Sequence, residues 1–211
     1  MKILIVSATE KEIAESRFFF LENKMQNHDL QFLVTGMGQL HSAFYLMRKL
    51  QNETFDLVMQ VGLCGSVSQS VELGSLINIV NDQIIDLGAS SNDGFIPFND
   101  FMIENKQIVS WNSCSDFQNS FLSQLPKGEG ITANVCHGDS YWVDYIQKQH
   151  PRAFESMEGA SFFMVTSGFS VPALQIRAVS NYVEHRNTSR WKKDLAIQNL
   201  NRFIIDFCHE L

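Results

Sequence analysis

Apolar residues fall in short runs along the chain, separated by glycine-bearing turns and by amphipathic stretches. The opening run 2–7, Lys-Ile-Leu-Ile-Val-Ser, is β-branched and apolar on both faces, the pattern of a strand buried inside a parallel sheet. Residues 8–14 read as a helix start with Glu10 and Glu12 in the first turn, where acids complement the positive helix end. The alternation continues with 30–34 as strand, 35–38 as turn, 39–50 as helix and 57–61 as strand, which predicts a βαβ architecture. Further on, 75–80, 83–87, 131–136 and 173–179 read as strands, and 141–149, 159–168 and 190–211 as helices. Gly, Ser, Asn, Asp and Pro cluster in 88–100, which predicts an irregular loop over a site.

No repeat, low-complexity tract or linker divides the 211 residues, and 45% apolar with 18% charged content is that of a core-forming α/β domain. The net charge of -7 disfavours a nucleic-acid partner, because affinity for a polyanion comes from Lys and Arg neutralising phosphates. A small-molecule substrate is expected instead. Glu10 and Glu12 interrupt the N-terminal apolar run before it reaches signal-peptide length, and the later stretch 161–174 is broken by Thr166, Ser167, Gly168, Ser170 and Pro172, so no membrane segment is expected. Cys64, Cys114, Cys136 and Cys208 are scattered, which fits a reducing cytoplasm better than a disulfide framework or a zinc site. His137 near Asp139 is the one close His and acid pair, too few ligands for a metal.

Several residues invite a chemical reading beside a plain structural one. Gly36, Met37 and Gly38 lie between a strand and a helix, where glycines admit an anion or sugar or simply turn the chain. Position 41 is His, so the third glycine of a dinucleotide fingerprint is missing and no nicotinamide cofactor is expected. The segment 62–66, Gly-Leu-Cys-Gly-Ser, reads as a second small-residue turn at a strand's carboxyl end, where open α/β sheets bind ligands. Glu12 is a dipole-complementing acid or a catalyst. Glu158 sits in an apolar helical stretch, where a carboxylate is costly to bury without a partner. Asn181, after Ser180, closes a strand-like run and places an amide at its end.

Taken in order, Met1-Lys-Ile with 8–12 (Ala-Thr-Glu-Lys-Glu), 36–38 (Gly-Met-Gly), 62–65 (Gly-Leu-Cys-Gly), Gly138-Asp139, 156–159 (Ser-Met-Glu-Gly) and 177–181 (Arg-Ala-Val-Ser-Asn) resemble the purine nucleosidase and nucleoside phosphorylase family along essentially the whole chain. The likeness is greatest to the futalosine hydrolase branch and to the methylthioadenosine/S-adenosylhomocysteine nucleosidases. It implies one domain, 1–211, with a central mixed β-sheet flanked by helices, no cofactor and no metal. It also implies a purine nucleoside as small-molecule partner, a homodimer or higher homo-oligomer, and cleavage of the N-glycosidic bond. By resemblance Glu12 activates the attacking water, Met157 and Glu158 hold the ribose, Tyr141 stacks on the purine and Trp142 meets the base edge through its backbone. Gly62 belongs to the substrate-binding turn. These roles suit an oxocarbenium-like transition state, which nearby carboxylates stabilise.

Asn181 departs from the family, whose adenine-specific nucleosidases carry an Asp there to protonate purine N7. Once N7 is protonated, a 6-oxopurine offers a donor and an acceptor and adenine offers two donors, so one amide matches the 6-oxo pattern. Buried mismatches discriminate strongly, which points to hypoxanthine and to futalosine hydrolysis, a reaction on the route to menaquinone. The benzoate of futalosine then calls for a cation, with Arg186 or Arg190 as candidates beside the reading of both as surface residues. The alternatives are a methylthioadenosine/S-adenosylhomocysteine nucleosidase, a purine nucleoside phosphorylase and a non-catalytic nucleoside-binding relative. Phosphorolysis would need cationic or multiple amide donors, and no Arg lies in the first sixteen residues. The segment between Glu22 and Leu30 is shorter than in many relatives, which insert a strand hairpin there.

Overall fold

A computed structural model of the chain describes residues 1–25, 27–92, 94–100, 110–113, 117 and 119–211, with the backbone alone at Asn99. The elements run β1 (Lys2–Ser7), α1 (Glu10–Glu22), β2 (Asp29–Val34), α2 (Gln39–Asn52), β3 (Leu57–Ser66), β4 (Leu76–Ile84), β5 (Gly88–Ser91), β6 (Gly94–Pro97) and β7 (Ser110–Asn112). Then follow α3 (Ser120–Ser123), β8 (Lys127–Thr132), α4 (Ser140–Gln149), β9 (Phe154–Ser156), α5 (Gly159–Gly168), β10 (Ala173–Tyr182) and α6 (Lys193–His209).

The period-2 geometry of β1 sends neighbouring side chains to opposite faces, and both faces are covered, as its continuous apolar run requires. Ile3 and Ile5 pack with Ile13 of α1 and with Leu200, Phe203, Ile204 and Phe207 of α6. Leu4 and Val6 pack with Leu46 and Leu50 of α2 and with Phe162 and Phe163 of α5. Among the described residues the central sheet has eight strands and is mixed. β2, β1, β3 and β10 are mutually parallel where they pair, whereas β4 runs antiparallel to β10 and β9 antiparallel to β3. Because β10 also pairs β4, β4 pairs β8, β8 pairs β9 and β9 pairs β3, these strands close on themselves, with β1 and β2 extending from β3. The chain is thus a single α/β domain on a mixed sheet flanked by helices.

Five local expectations are corrected. Residues 62–66 are not a turn: β3 continues through Ser66, because its far half is hydrogen-bonded to β10 on one edge and to β9 on the other. The separate strands expected at 75–80 and 83–87 are one strand, β4, with a register shift against β8 between Ile79 and Asn81. Residues 133–136 leave the sheet after β8, and Val135 and Cys136 line the cavity described below. The stretch 88–100 forms a two-stranded hairpin, β5 with β6, rather than an irregular loop. The C-terminal helix begins at Lys193, after a short 3-10 turn at Thr188–Arg190. Cys114 lies outside the described residues.

One side chain ties the two ends of the chain together. Asn201, buried on α6, inserts into the hydrogen-bond ladder of α1: its Oδ1 accepts from Ser16 N at 2.9 Å and its Nδ2 donates to Glu12 O at 2.9 Å. A side chain inserted into the ladder fixes the local helix register, here at the residue that carries Glu12. Asn201→Ala is expected to destabilise the fold by about 2 kcal/mol, the scale for buried groups left without partners. The midpoint of urea unfolding reads this directly, and an unchanged midpoint would show that the ladder closes without Asn201.

Candidate active site

A cavity of about 440 Å³ opens where β1, β3, β9 and β10 end, and Glu12, Leu63, Gly65, Glu155, Met157, Glu158 and Asn181 are among the residues lining it. Glu12 reaches it from the first turn of α1. Its Oε2 accepts from Thr9 N at 2.9 Å and from Thr9 Oγ1 at 2.8 Å, with Ser7 Oγ at 3.0 Å. Its Oε1 accepts from Leu63 N at 3.1 Å, so the carboxylate is clamped to both strands. The helix-start reading of Glu12 and the catalytic one are therefore compatible: the backward reach to Thr9 N caps α1 and orients the carboxylate.

Glu158 stands at the N-terminal end of α5, where its Oε1 accepts from Gly38 N at 3.0 Å and its Oε2 from Arg177 Nη1 at 3.4 Å. Gly36 and Gly38 have φ of +88° and +90°, conformations that side chains disfavour, and they shape the turn that presents the Gly38 N–H. That turn binds the protein's own carboxylate at the start of α2. Arg177, 2% exposed, is the pivot beneath. Its Nε donates to Gln175 Oε1 and its Nη2 to Gln60 Oε1, both at 2.9 Å, and its Nη1 also reaches Leu63 O at 3.4 Å. Gln175 in turn donates to Asp82 at 3.2 Å, and Thr132 Oγ1 donates to the other Asp82 oxygen at 2.8 Å. Burial pushes the Asp82 carboxyl up to about 7 against the Thr132 bond, the Arg177 charge and the Gln175 bond.

Asn181 lies at the end of β10, where the register against β3 shifts between Val179 and Asn181. Its Oδ1 accepts from Ser180 Oγ at 2.8 Å and its Nδ2 donates to Tyr182 O at 3.1 Å. One lone pair and one N–H remain for a ligand.

Three expected site residues do not line this cavity. Gly62 does not line the cavity: it makes room, since a Cβ there would stand 2.8 Å from Arg177 Nη1 and 3.1 Å from Glu12 Oε1. Tyr141 and Trp142 face a neighbouring cavity under the β5–β6 hairpin. The reason is local bonding. Asp139 caps α4 and takes the Trp142 N–H at 3.1 Å, the Trp142 ring stacks on His137 and packs on Phe95, and the Tyr141 hydroxyl bonds Phe95 N. Of the two arginines, Arg186 lines the main cavity, whereas Arg190 pairs with Glu184 at 3.0 Å. Arg177, Asp82, Gln60, Gln175 and Glu155 were not singled out from the sequence; polar residues inside otherwise apolar strand runs were the available signal. Among the described residues no group of three or more His, Cys, Asp or Glu is placed to hold a metal ion, and no helix is long and apolar enough to cross a membrane.

Two outcomes test this architecture. Gly62→Ala is expected to push the Arg177 guanidinium out of its place and cost about 1–3 kcal/mol, read by thermal unfolding; a variant as stable as the parent would show that Arg177 has slack. Asp82 has a folded-state value near 7 against an ordinary 3.8. Its contribution to stability is therefore complete below about pH 4 and lost as pH rises through about 7. The stability of Asp82→Asn relative to the parent should rise over that interval, and a pH-independent difference in urea midpoints would contradict it.

A family model for the phosphorylase superfamily matches residues 4–208. The futalosine hydrolase of Streptomyces coelicolor is 28% identical over 144 residues, which cover 68% of this chain and 61% of that relative's length. A 5'-methylthioadenosine/S-adenosylhomocysteine nucleosidase of Haemophilus influenzae is 23% identical over 191 residues, 86% of this chain and 80% of the relative. Among solved structures, the native futalosine hydrolase of Helicobacter pylori superposes with a TM-score of 0.81 at 17% identity, covering 100% of this chain and 98% of that one. The Helicobacter pylori 5'-methylthioadenosine/S-adenosylhomocysteine nucleosidase bound to butyl-thio-DADMe-Immucillin-A also gives 0.81 at 17%, covering 100% and 99%. With the family match running over nearly its whole length and the fold shared throughout, the chain belongs to the phosphorylase superfamily.

Proposed function

We propose that the chain hydrolyses the N-glycosidic bond of a purine nucleoside, with futalosine as substrate and hypoxanthine as the released base. The observation that carries the reading is that Glu12 and Glu158, far apart in sequence, line one cavity together with Asn181. In this scheme Glu158 accepts hydrogen bonds from the ribose hydroxyls and stabilises the cationic sugar, and Met157 packs against the ribose. Glu12 takes a proton from the water that attacks the anomeric carbon. The free lone pair and N–H of Asn181 match a 6-oxopurine protonated at N7. Relatives named futalosine hydrolase and 5'-methylthioadenosine/S-adenosylhomocysteine nucleosidase support hydrolysis of this bond type.

Water is favoured over phosphate because the guanidinium beneath the cavity is already committed to Gln60, Gln175, Leu63 O and Glu158. The remaining cations lining the cavity, Lys11, Arg186 and Lys193, are exposed at its mouth, where Arg186 suits a benzoate. With the reading go a cytoplasmic location, a place in menaquinone biosynthesis and a homodimer, which sedimentation of the purified chain tests.

Incubation with futalosine, inosine and methylthioadenosine, with and without phosphate, followed by chromatography of the bases, is expected to show hypoxanthine from futalosine without phosphate. Adenine release, or an absolute need for phosphate, would move the chain to another activity of the superfamily. Asn181→Asp is expected to gain on adenine nucleosides and lose on futalosine; no change in either would overturn the account of base choice. Arg186→Ala should raise KM for futalosine by about tenfold and leave inosine unaffected, the scale of one charge-assisted contact.

A further inference from the structure

Departure of a purine as an anion is slow, so a site that cleaves its bond to ribose gains from a proton donor for the base. Most polar groups of the main cavity cannot fill that role. Glu12 is bonded by Thr9 and Leu63, Glu158 by Gly38 and Arg177, and the Asn181 amide holds no acidic proton. Resting on the hydrolytic reading above, we propose that Glu155, in its protonated form, is the general acid that delivers a proton to the leaving purine.

Glu155 is 7% exposed and lines the same cavity, and its Oε1 has no hydrogen-bond partner. Its place is set by strand register. Glu155 of β9 pairs with Gly65 of β3, and Gly65 pairs with Asn181 of β10, so the three residues form one row across adjacent strands. Gly65 puts no side chain between the other two; a Cβ there would approach Asn181 Nδ2 to 3.0 Å. A base seated over Gly65 therefore meets the amide on one side and the carboxyl on the other. A buried carboxyl with one oxygen left unpartnered is costly as an anion and serviceable as an acid.

Burial pushes Glu155 up to about 7; the His137 backbone N–H opposes this and the charge of Asp86 adds to it. The other titratable or charged groups around it are Cys64 on β3, Cys136 and His137 after β8, Arg186, whose Nη1 bonds Cys136 O at 3.4 Å, and Glu12 and Glu158 across the cavity. In the step, the Glu155 O–H bond breaks as a purine N–H bond forms, and the electron pair of the C1'–N9 bond passes to the base. The water oxygen bonds C1' while its proton goes to Glu12. Glu12 then releases a proton to solvent and Glu155 takes one back, so the net reaction consumes one water.

The test compares the parent, Glu155→Gln and Glu155→Asp on futalosine and on p-nitrophenyl riboside, whose leaving group needs no proton, across pH. For Glu155→Gln, kcat on futalosine should fall by about 100-fold or more with KM little changed, while p-nitrophenyl riboside is cleaved almost as before. The parent's kcat on futalosine should decline as pH rises through about 7, where the acid form is lost, and Glu155→Gln should lack that limb. Glu155→Asp, which keeps an acid, should recover part of the rate. Equal losses on both substrates, a change confined to KM, or an unaltered pH profile would overturn the assignment of Glu155 while leaving the hydrolytic reading intact. No base release by the parent from any purine nucleoside would instead remove the hydrolytic reading and this role with it.

Discussion

A guanidinium buried inside the sheet is the constraint from which the rest of the site follows. An ion taken out of water needs a counter-charge and hydrogen-bond acceptors, and Arg177 obtains them from Glu158, Gln60, Gln175 and Leu63 O. Each partner has requirements of its own. Gln175, accepting from Arg177, turns its amide N–H toward Asp82, and Glu158, shared with Arg177, receives the Gly38 N–H at the start of α2. The glycines at 62 and 159 are the space this network needs: a Cβ at 62 would strike the guanidinium, and one at 159 would meet the Asp82 carboxyl. Asp82 and Glu158 together would outnumber the guanidinium, and burial, which raises Asp82 to about 7, eases that excess by favouring its neutral form.

The closed path of strands converts this buried chemistry into a site. β3 has β1 and then β9 along one edge and β10 along the other, so its far end is enclosed by three strands and the helices that follow β1 and β9. Residues from both ends of the chain converge there, and Asn201 of α6 fixes the helix register of Glu12. Clamping of carboxylates before any ligand arrives means little reorganisation is needed at the moment of reaction, which is the physical basis of electrostatic preorganisation.

Elements whose sequence period matches their burial were legible. β1, α1, α2 and α5 were read from apolar runs and helical spacing because both faces of β1, and one or all faces of the helices, pack on apolar neighbours. The far half of β3 was misread because Gly62 and Gly65, signals of a turn, are there to admit Arg177, Glu12 and Asn181 above a continuing strand. β4 was split in two because Asn81 and Asp82 interrupt its apolar pattern; Asp82 is nevertheless buried, paid for by bonds from residues 50 and 93 positions away that no local pattern reveals. Glu12, Met157, Glu158 and Asn181, picked out by short motifs, line one cavity. Tyr141 and Trp142 lie outside the main cavity because of tertiary contacts toward Phe95 and His137 that no local pattern reveals.

The distribution of charge gives the cavity a direction. Glu12, Glu155 and Glu158 are buried at its floor, whereas Lys11, Arg186 and Lys193 are exposed at its mouth. On the proposed reading, positive charge that develops on a sugar during glycosidic cleavage would be stabilised deep in the site, where the dielectric is low and the carboxylates of Glu12 and Glu158 are clamped. A carboxylated substituent is repelled by that floor and attracted by the mouth, so the same field that favours the transition state would orient such a nucleoside with its sugar inward. An uncharged 5'-substituent gains nothing from the basic mouth. On the proposed reading, the electrostatics of the cavity would discriminate between substrates by where they carry negative charge, independently of any base reading by Asn181.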